Sequence, residues 1–169
     1  MNQTFQAVHS PSTKASARPR RRVAIVSARW HREIVEQATR AMRAELDRAA
    51  GPPIDVQEYV VPGAFEIPLH ARRLAQTGRY DGIVACAFVV NGGIYRHEFV
   101  SSAVIDGLMR VQLDTDVPMF SAVLTPRDFH EHEEHREFFA KHFVTKGTEV
   151  ARACVETLAS LAELQTKAA

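Results

Sequence analysis

The segment DGIVACAFVV, residues 81–90, is apolar almost without alternation. A strand with one wet face alternates apolar and polar side chains, whereas a strand covered on both faces reads as a continuous apolar run. This segment is therefore expected at the centre of a sheet that carries helices on both sides. Three other short β-branched runs share the chain with it: RRVAIVSA (21–28), IDVQEYVV (54–61) and PMFSAVLT (118–125).

Between these runs the apolar residues recur at helical spacing. Ile34, Val35, Ala38, Ala41 and Met42 mark a first helix, which Gly51 stops, and Ile67, Ala71 and Leu74 mark a second. Pro68 must lie in the first turn of that second helix, where a missing N–H costs little. A third helix runs from about Glu98 to Leu113, with Val100, Ala103, Val104, Gly107, Leu108 and Val111 as its stripe. After the last strand, a charged helix over about 128–142 and a separate one carrying Val150, Cys154, Val155, Leu158 and Leu161 complete the series. The order β-α-β-α-β-α-β-α-α predicts a four-stranded parallel sheet in a three-layer α/β/α sandwich. With 169 residues and 46% hydrophobic content, residues 21–169 suffice for one domain.

Composition narrows the function. Lys plus Arg number 21 against 20 Asp plus Glu, a formal charge of +1, which gives none of the broad positive field that draws proteins to nucleic acid. Cys86 and Cys154 sit inside apolar periodic segments, as buried thiols of a reducing, cytoplasmic compartment do. Residues 1–20 are rich in Ser, Pro, Thr and Ala and are expected to form a mobile tail. No run approaches the roughly 20 apolar residues of a membrane span.

In a parallel α/β sheet, ligands bind beyond the carboxyl ends of the strands. Here those ends are ARWH, PGAFE, NGGIYRH and LTPRD. Trp30, the only tryptophan, either presents its ring to a planar ligand or covers the sheet edge. Glu66 either accepts a hydrogen bond from a heterocyclic N–H or complements a helix dipole. NGGIYRH carries the most chemistry. Its glycines, Gly92 and Gly93, admit close backbone approach, the following helix start offers free N–H groups, and Arg96 supplies a fixed charge, together an anion site suited to phosphate. His97 exchanges protons near neutral pH, whereas Arg96, with a pKa above about 12, cannot act as a base.

FHEHEEHREFFAKHF (129–143) places His130, His132, His135 and His142 close together. A metal-dependent hydrolase would use such residues. However, His130-Glu131 precedes His135 by five positions from the histidine rather than the four that put two ligands on one helical face. A charged helix with Phe138 and Phe139 packed inward accounts for the same residues. The chain lacks both G-x-G-x-x-G and Walker A patterns, so dinucleotide and nucleoside-triphosphate cofactors have no usual support.

VPGAFEIPLHARRLAQTGRYDGIVACAFVV, followed by a glycine turn, a helix, VPMFSAVLT and a late Lys-Gly, resembles lumazine synthase from about Val23 to Leu164. That resemblance implies a flavodoxin-like fold and a cofactor-free, metal-free condensation. The substrates would be 5-amino-6-(D-ribitylamino)uracil and 3,4-dihydroxy-2-butanone 4-phosphate, and the product 6,7-dimethyl-8-ribityllumazine. It also implies homo-oligomers built from pentamers, in some members decamers or shells, with active sites between adjacent subunits.

Carried over by position, the resemblance gives Trp30 the ring that stacks on the pyrimidine and sets Ala64, Phe65 and Glu66 around the ribityl chain. It makes Phe88, Val89 and Val90 the strand end whose backbone reads the pyrimidine edge. Gly93 and Ile94 fall in the phosphate turn. Ser121 falls where many members place a Phe from the neighbouring subunit, and His135 falls near an Arg that binds the substrate phosphate. The departure is at NGGIYRHEFV, where Arg96 stands at the position of the usual catalytic histidine and His97 one place later. This pattern resembles a second isoenzyme type associated with decamers. It leaves open whether Arg96 or His97 faces the substrate, and it admits a flavin- or lumazine-binding protein of weak catalysis as the alternative.

Overall fold

The computed structural model describes residues 20–94 and 96–168; the expected tail lies, but for Arg20, outside them. Four strands, β1 (Arg21–Ala28), β2 (Ile54–Val61), β3 (Gly82–Phe88) and β4 (Met119–Leu124), alternate with helices α1 (Arg32–Arg48), α2 (Ile67–Gln76), α3 (His97–Thr115) and α4 (Glu133–Ala168). A single 3₁₀ turn, Ala64–Glu66, precedes α2. All strand pairs are parallel and the sheet order is β2-β1-β3-β4. This is the flavodoxin-like three-layer sandwich expected from the sequence.

The period of two along a strand decides which helices each residue meets. Val23 and Ile25 of β1, with Val84, Cys86 and Phe88 of β3, pack under α1 and α4. Their neighbours Ala24, Val26 and Ala28, with Ile83, Ala85 and Ala87, pack under α2 and α3. Every residue of β3 is buried, which is why its sequence shows no alternation. Helix faces follow suit: Ile34, Val35, Ala38, Met42 and Leu46 bury one stripe of α1, and Val104, Leu108 and Val111 one stripe of α3. Pro68 occupies the first turn of α2, as its missing N–H requires, and lies against α3, where a Cβ on Gly107 would come within 3.0 Å of it.

Two expectations need correction. The charged helix over 128–142 and its successor are one helix, α4, that starts at Glu133 and passes through Gly147 without a break. Glycine inside a helix costs only about 1 kcal/mol relative to alanine, and here it permits contact. A Cβ at Gly147 would lie 2.3 Å from the carbonyl oxygen of Ala38, so α4 crosses α1 closely enough to exclude any side chain. Of the two phenylalanines expected to pack inward, Phe139 joins the core, but Phe138 is 60% exposed and stacks on His142. Adjacent helix positions point about 100° apart, so the two rings do not share one face.

Candidate active site

The chain runs outward from β1 to β2, then returns past β1 to β3 and β4, so the winding reverses between β1 and β3. The carboxyl ends of two neighbouring strands with oppositely directed connections diverge and leave a crevice. A cavity of about 510 Å³ opens there. The segment after β1 lines it with Ala28, Trp30 and His31, and the segment after β2 with Pro62, Gly63, Ala64, Phe65 and Glu66. Phe88, Val89, Val90 and Gly92 follow from β3, and Arg96, His97 and Val100 from the start of α3.

Each wall has a local cause. Arg29 donates its N–H to the Val61 carbonyl at 2.9 Å, which ties the ends of β1 and β2 together and brings Trp30 onto Gly63. The indole lies 3.9 Å from where a Cβ on Gly63 would stand, and it is 71% exposed, so one face of the ring remains open to a ligand. The Gly63 N–H donates to Glu66 Oε2 at 2.9 Å. The carboxylate thus closes the turn before α2, and its residue lines the cavity.

At the β3 end, the Val89 N–H donates to the Leu124 carbonyl at 2.9 Å. That donor is spent, so any reading of a ligand edge by this segment rests on its other backbone groups. The turn beyond is set by Asn91, whose Oδ1 accepts from the Gly93 N–H at 2.9 Å, and by Gly93 itself, with φ of 79°. A left-handed backbone of this kind suits glycine.

Arg96 caps α3 in an extended conformation, and its guanidinium carbon sits 5.1 Å from the centroid of the Phe99 ring. The side chain of His97 is only 11% exposed, and its Nδ1 lies 3.5 Å from Glu98 Oε2. With Nδ1 turned to that carboxylate, Nε2 is the nitrogen left for the cavity. Both residues line the same space. The sequence posed them as alternatives because neighbouring helix side chains diverge; the start of α3 points into the cavity, so both reach its wall.

Among the residues singled out in the sequence, Trp30, Ala64, Phe65, Glu66, Phe88, Val89, Val90, Arg96 and His97 meet in this cavity. Gly93 and Ile94 stand beside it rather than in its lining, with Ile94 83% exposed. Ser121, on the edge strand β4, faces a separate depression with Lys146 and Glu149. His135 is near the start of α4, where its Nδ1 accepts from the His130 N–H at 3.3 Å. Among the described residues, no group of three His, Cys, Asp or Glu side chains is arranged to hold a metal ion.

Sequence reasoning overlooked His31, although it stands in the quoted ARWH turn. Its ring is 5.5 Å from Phe88 and 5.4 Å from Phe129, both edge-on. The available signal was a second aromatic, polar-tipped residue directly after Trp30.

The sequence of residues 20–162 matches the family model described as 6,7-dimethyl-8-ribityllumazine synthase. The chain is 59% identical over 145 residues to the 6,7-dimethyl-8-ribityllumazine synthase of Rhodococcus erythropolis, covering 86% of this chain and 94% of the relative. It is 56% identical over 153 residues to 6,7-dimethyl-8-ribityllumazine synthase 2 of Bradyrhizobium diazoefficiens, covering 90% and 91%. The corresponding synthase 2 of Pseudomonas syringae pv. tomato is 50% identical over 153 residues, covering 90% of each. By the parallel sheet, the cavity at its switch point and these likenesses, the chain belongs to the 6,7-dimethyl-8-ribityllumazine synthase family.

Proposed function

We propose that this protein condenses 5-amino-6-(D-ribitylamino)uracil with 3,4-dihydroxy-2-butanone 4-phosphate to give 6,7-dimethyl-8-ribityllumazine, phosphate and water, as a transferase of riboflavin biosynthesis. The observation that carries this reading is the convergence, in one cavity, of an indole open for stacking, a guanidinium and an imidazole. Trp30 stacks on the pyrimidine, and Ala64, Phe65 and Glu66 line the ribityl chain. The segment Phe88–Val90 meets the pyrimidine edge. Arg96 holds the phosphorylated ketone and stabilises developing negative charge, while His97 moves protons. Positioning an amine against a ketone supplies much of the acceleration by itself, so no cofactor is required of the scheme.

The phosphate turn, Gly93 and Ile94, completes the anion site when a ligand is bound. Ser121 and His135 serve the cavity of an adjacent copy; that neither belongs to this chain's own cavity lining, and that Ser121 is exposed, support that reading. We accordingly propose a homo-oligomer of pentamers, assembled as a decamer. An exposed apolar row on α3, Ile105, Met109 and Leu113, supplies a surface in search of cover. No helix among the described residues is long and apolar enough to cross a membrane, and the two buried thiols fit a reducing, cytoplasmic setting.

The test is to mix the protein with both substrates and follow the fluorescence of the lumazine against the spontaneous reaction. Acceleration at least severalfold above background is expected. Tight flavin or lumazine binding without acceleration at any pH would replace the enzyme with the weakly catalytic binding protein, the reading that Arg96 at the usual histidine position favours.

A further inference from the structure

His31 is the titratable side chain of the cavity lining with no assigned task, and its conformation is costly. It caps α1 with a left-handed backbone, φ 51° and ψ 45°, and its side chain makes no capping hydrogen bond. A helix cap ordinarily has an extended backbone and a Ser, Asp or Asn side chain bonded into the first turn. A non-glycine residue held left-handed without that compensation breaks a local rule, and such breaks gather at functional sites. The turn swings the ring between Phe88 and Phe129, where it lines the cavity. Its ring meets those two rings edge-on, and among the described residues its nitrogens take no hydrogen bond or ion pair. No buried side-chain polar atom of the described residues lacks a partner, so those nitrogens reach open space and keep their bonding capacity for a ligand.

We propose that His31 is a second proton carrier of the condensation, working from the β1 end while His97 works from α3. The inference rests on the condensation assigned above. As the amine nitrogen bonds to the ketone carbon, the carbonyl π pair moves to oxygen; nitrogen then gives up a proton and oxygen takes one. When the C=N bond forms, nitrogen gives up its second proton, and the protonated hydroxyl leaves as water. Each proton lost by nitrogen arrives on oxygen, so an imidazole that accepts and returns it is unchanged over the cycle. Arg96 cannot do this, because it does not release its proton. The charged and titratable groups that share the cavity lining with His31 are Arg96, His97 and Glu66; on its own helix follow the Arg32–Glu36 pair and Glu33, which pairs with Arg136 of α4, and Asp128 and His130 flank Phe129 in the chain.

The test is steady-state kinetics with both substrates between about pH 5 and 9, where imidazole titrates, on the full-length parent, His31→Asn and His31→Gly. Asparagine and glycine both tolerate a left-handed backbone. Expected for His31→Asn is a loss in kcat of roughly ten- to a hundredfold, with each KM within about threefold of the parent and one ionisation gone from the pH profile. The glycine variant should be equally slow and regain rate with added imidazole. An unchanged kcat and pH profile in His31→Asn would overturn the proposal, as would a loss that leaves the profile unaltered and that imidazole does not relieve. If His31→Gly does not fold, the pH profile of His31→Asn decides. A parent that turns over normally beside an unaffected His31→Asn removes this inference alone, whereas a parent without acceleration removes the condensation as well.

Discussion

The guanidinium of Arg96 rests on the ring of Phe99, 5.1 Å from carbon to centroid, one turn further along α3. The aromatic face restricts a side chain that otherwise has many rotamers, and Arg96 lines the cavity. A cation–π contact at an exposed site contributes about 0.5–1 kcal/mol. Replacing Phe99 with Leu is therefore expected to raise the KM for the phosphorylated ketone by about two- to fivefold with kcat nearly unchanged. Arg96→Ala should raise the same KM further. Steady-state kinetics in the two substrates reads both, and an unchanged KM in Arg96→Ala would remove the guanidinium from phosphate binding.

His97 differs in kind. Its Nδ1 faces Glu98 and its Nε2 is left to the cavity. General acid–base catalysis typically contributes about 10²–10⁴-fold. His97→Ala should cost at least roughly tenfold in kcat with little change in either KM, the opposite split from Arg96→Ala. Equal rates for His97→Ala and the parent would retire the residue from catalysis.

The crossing of α1 and α4 sets up a packing test at Gly147. Alanine gains about 1 kcal/mol of helix propensity over glycine, but its Cβ would stand 2.3 Å from the Ala38 carbonyl oxygen. Backbone cannot yield as a side chain tip does, and overpacking typically costs about 1–3 kcal/mol. The clash should win. Gly147→Ala is expected to lower the melting temperature by several degrees, measured by circular dichroism; a rise would mean that the helices separate freely.

How far the sequence led follows from the same features. Strands showed because β-branched runs and a doubly buried apolar segment have few other uses, and the cavity's residues showed because strand ends in a parallel sheet are predictable places. The single helix α4 was divided because its charged first half and apolar-striped second half differ in pattern, and only the position of Ala38 on another helix reveals the packing use of Gly147. Phe138 misled because its partner Phe139 has the identical side chain. His31 stayed hidden because its inward turn depends on a left-handed backbone that histidine does not announce. Arg96 and His97 could not be ranked because the direction of the first turn of α3 depends on the tertiary fold.

Burial makes alkaline pH the weak side of this fold. Loss of water around their charged forms pushes the Cys86 and Cys154 thiols up to about 12, and burial with the neighbouring Tyr59 hydroxyl pushes the Tyr80 phenol up to about 12. Ordinary values are 9.0 for the thiols and 10.0 for the phenol. The folded state holds these protons more tightly than the unfolded chain. Their contribution to stability is therefore whole below about pH 9 and is lost as pH rises toward 12. Denaturant midpoints should fall across that window, and Cys86→Ala should flatten the fall. Both thiols should also resist alkylation at neutral pH until the protein is unfolded, which mass spectrometry after iodoacetamide checks.

Helix α3 leaves Ile105, Met109 and Leu113 at 40%, 53% and 71% exposure, spaced four residues apart so that they form one row on its outer side. A row of this kind gains by being covered, and in a homo-oligomer the cover is another copy of the chain. A carboxylate in the middle of the row would have to be buried without a partner on assembly, at a cost of several kcal/mol. In the isolated chain the same group would simply be hydrated. Met109→Glu should therefore keep the fold, as judged by circular dichroism, while the mass by light scattering drops from a multiple of five chains to one chain of 18.9 kDa. On the proposed assembly, in which a neighbour's Ser121 and His135 serve the cavity, turnover should fall with it. A variant that keeps the parent mass would move the interface to another face, and one that becomes monomeric yet fully active would make the cavity of a single chain sufficient.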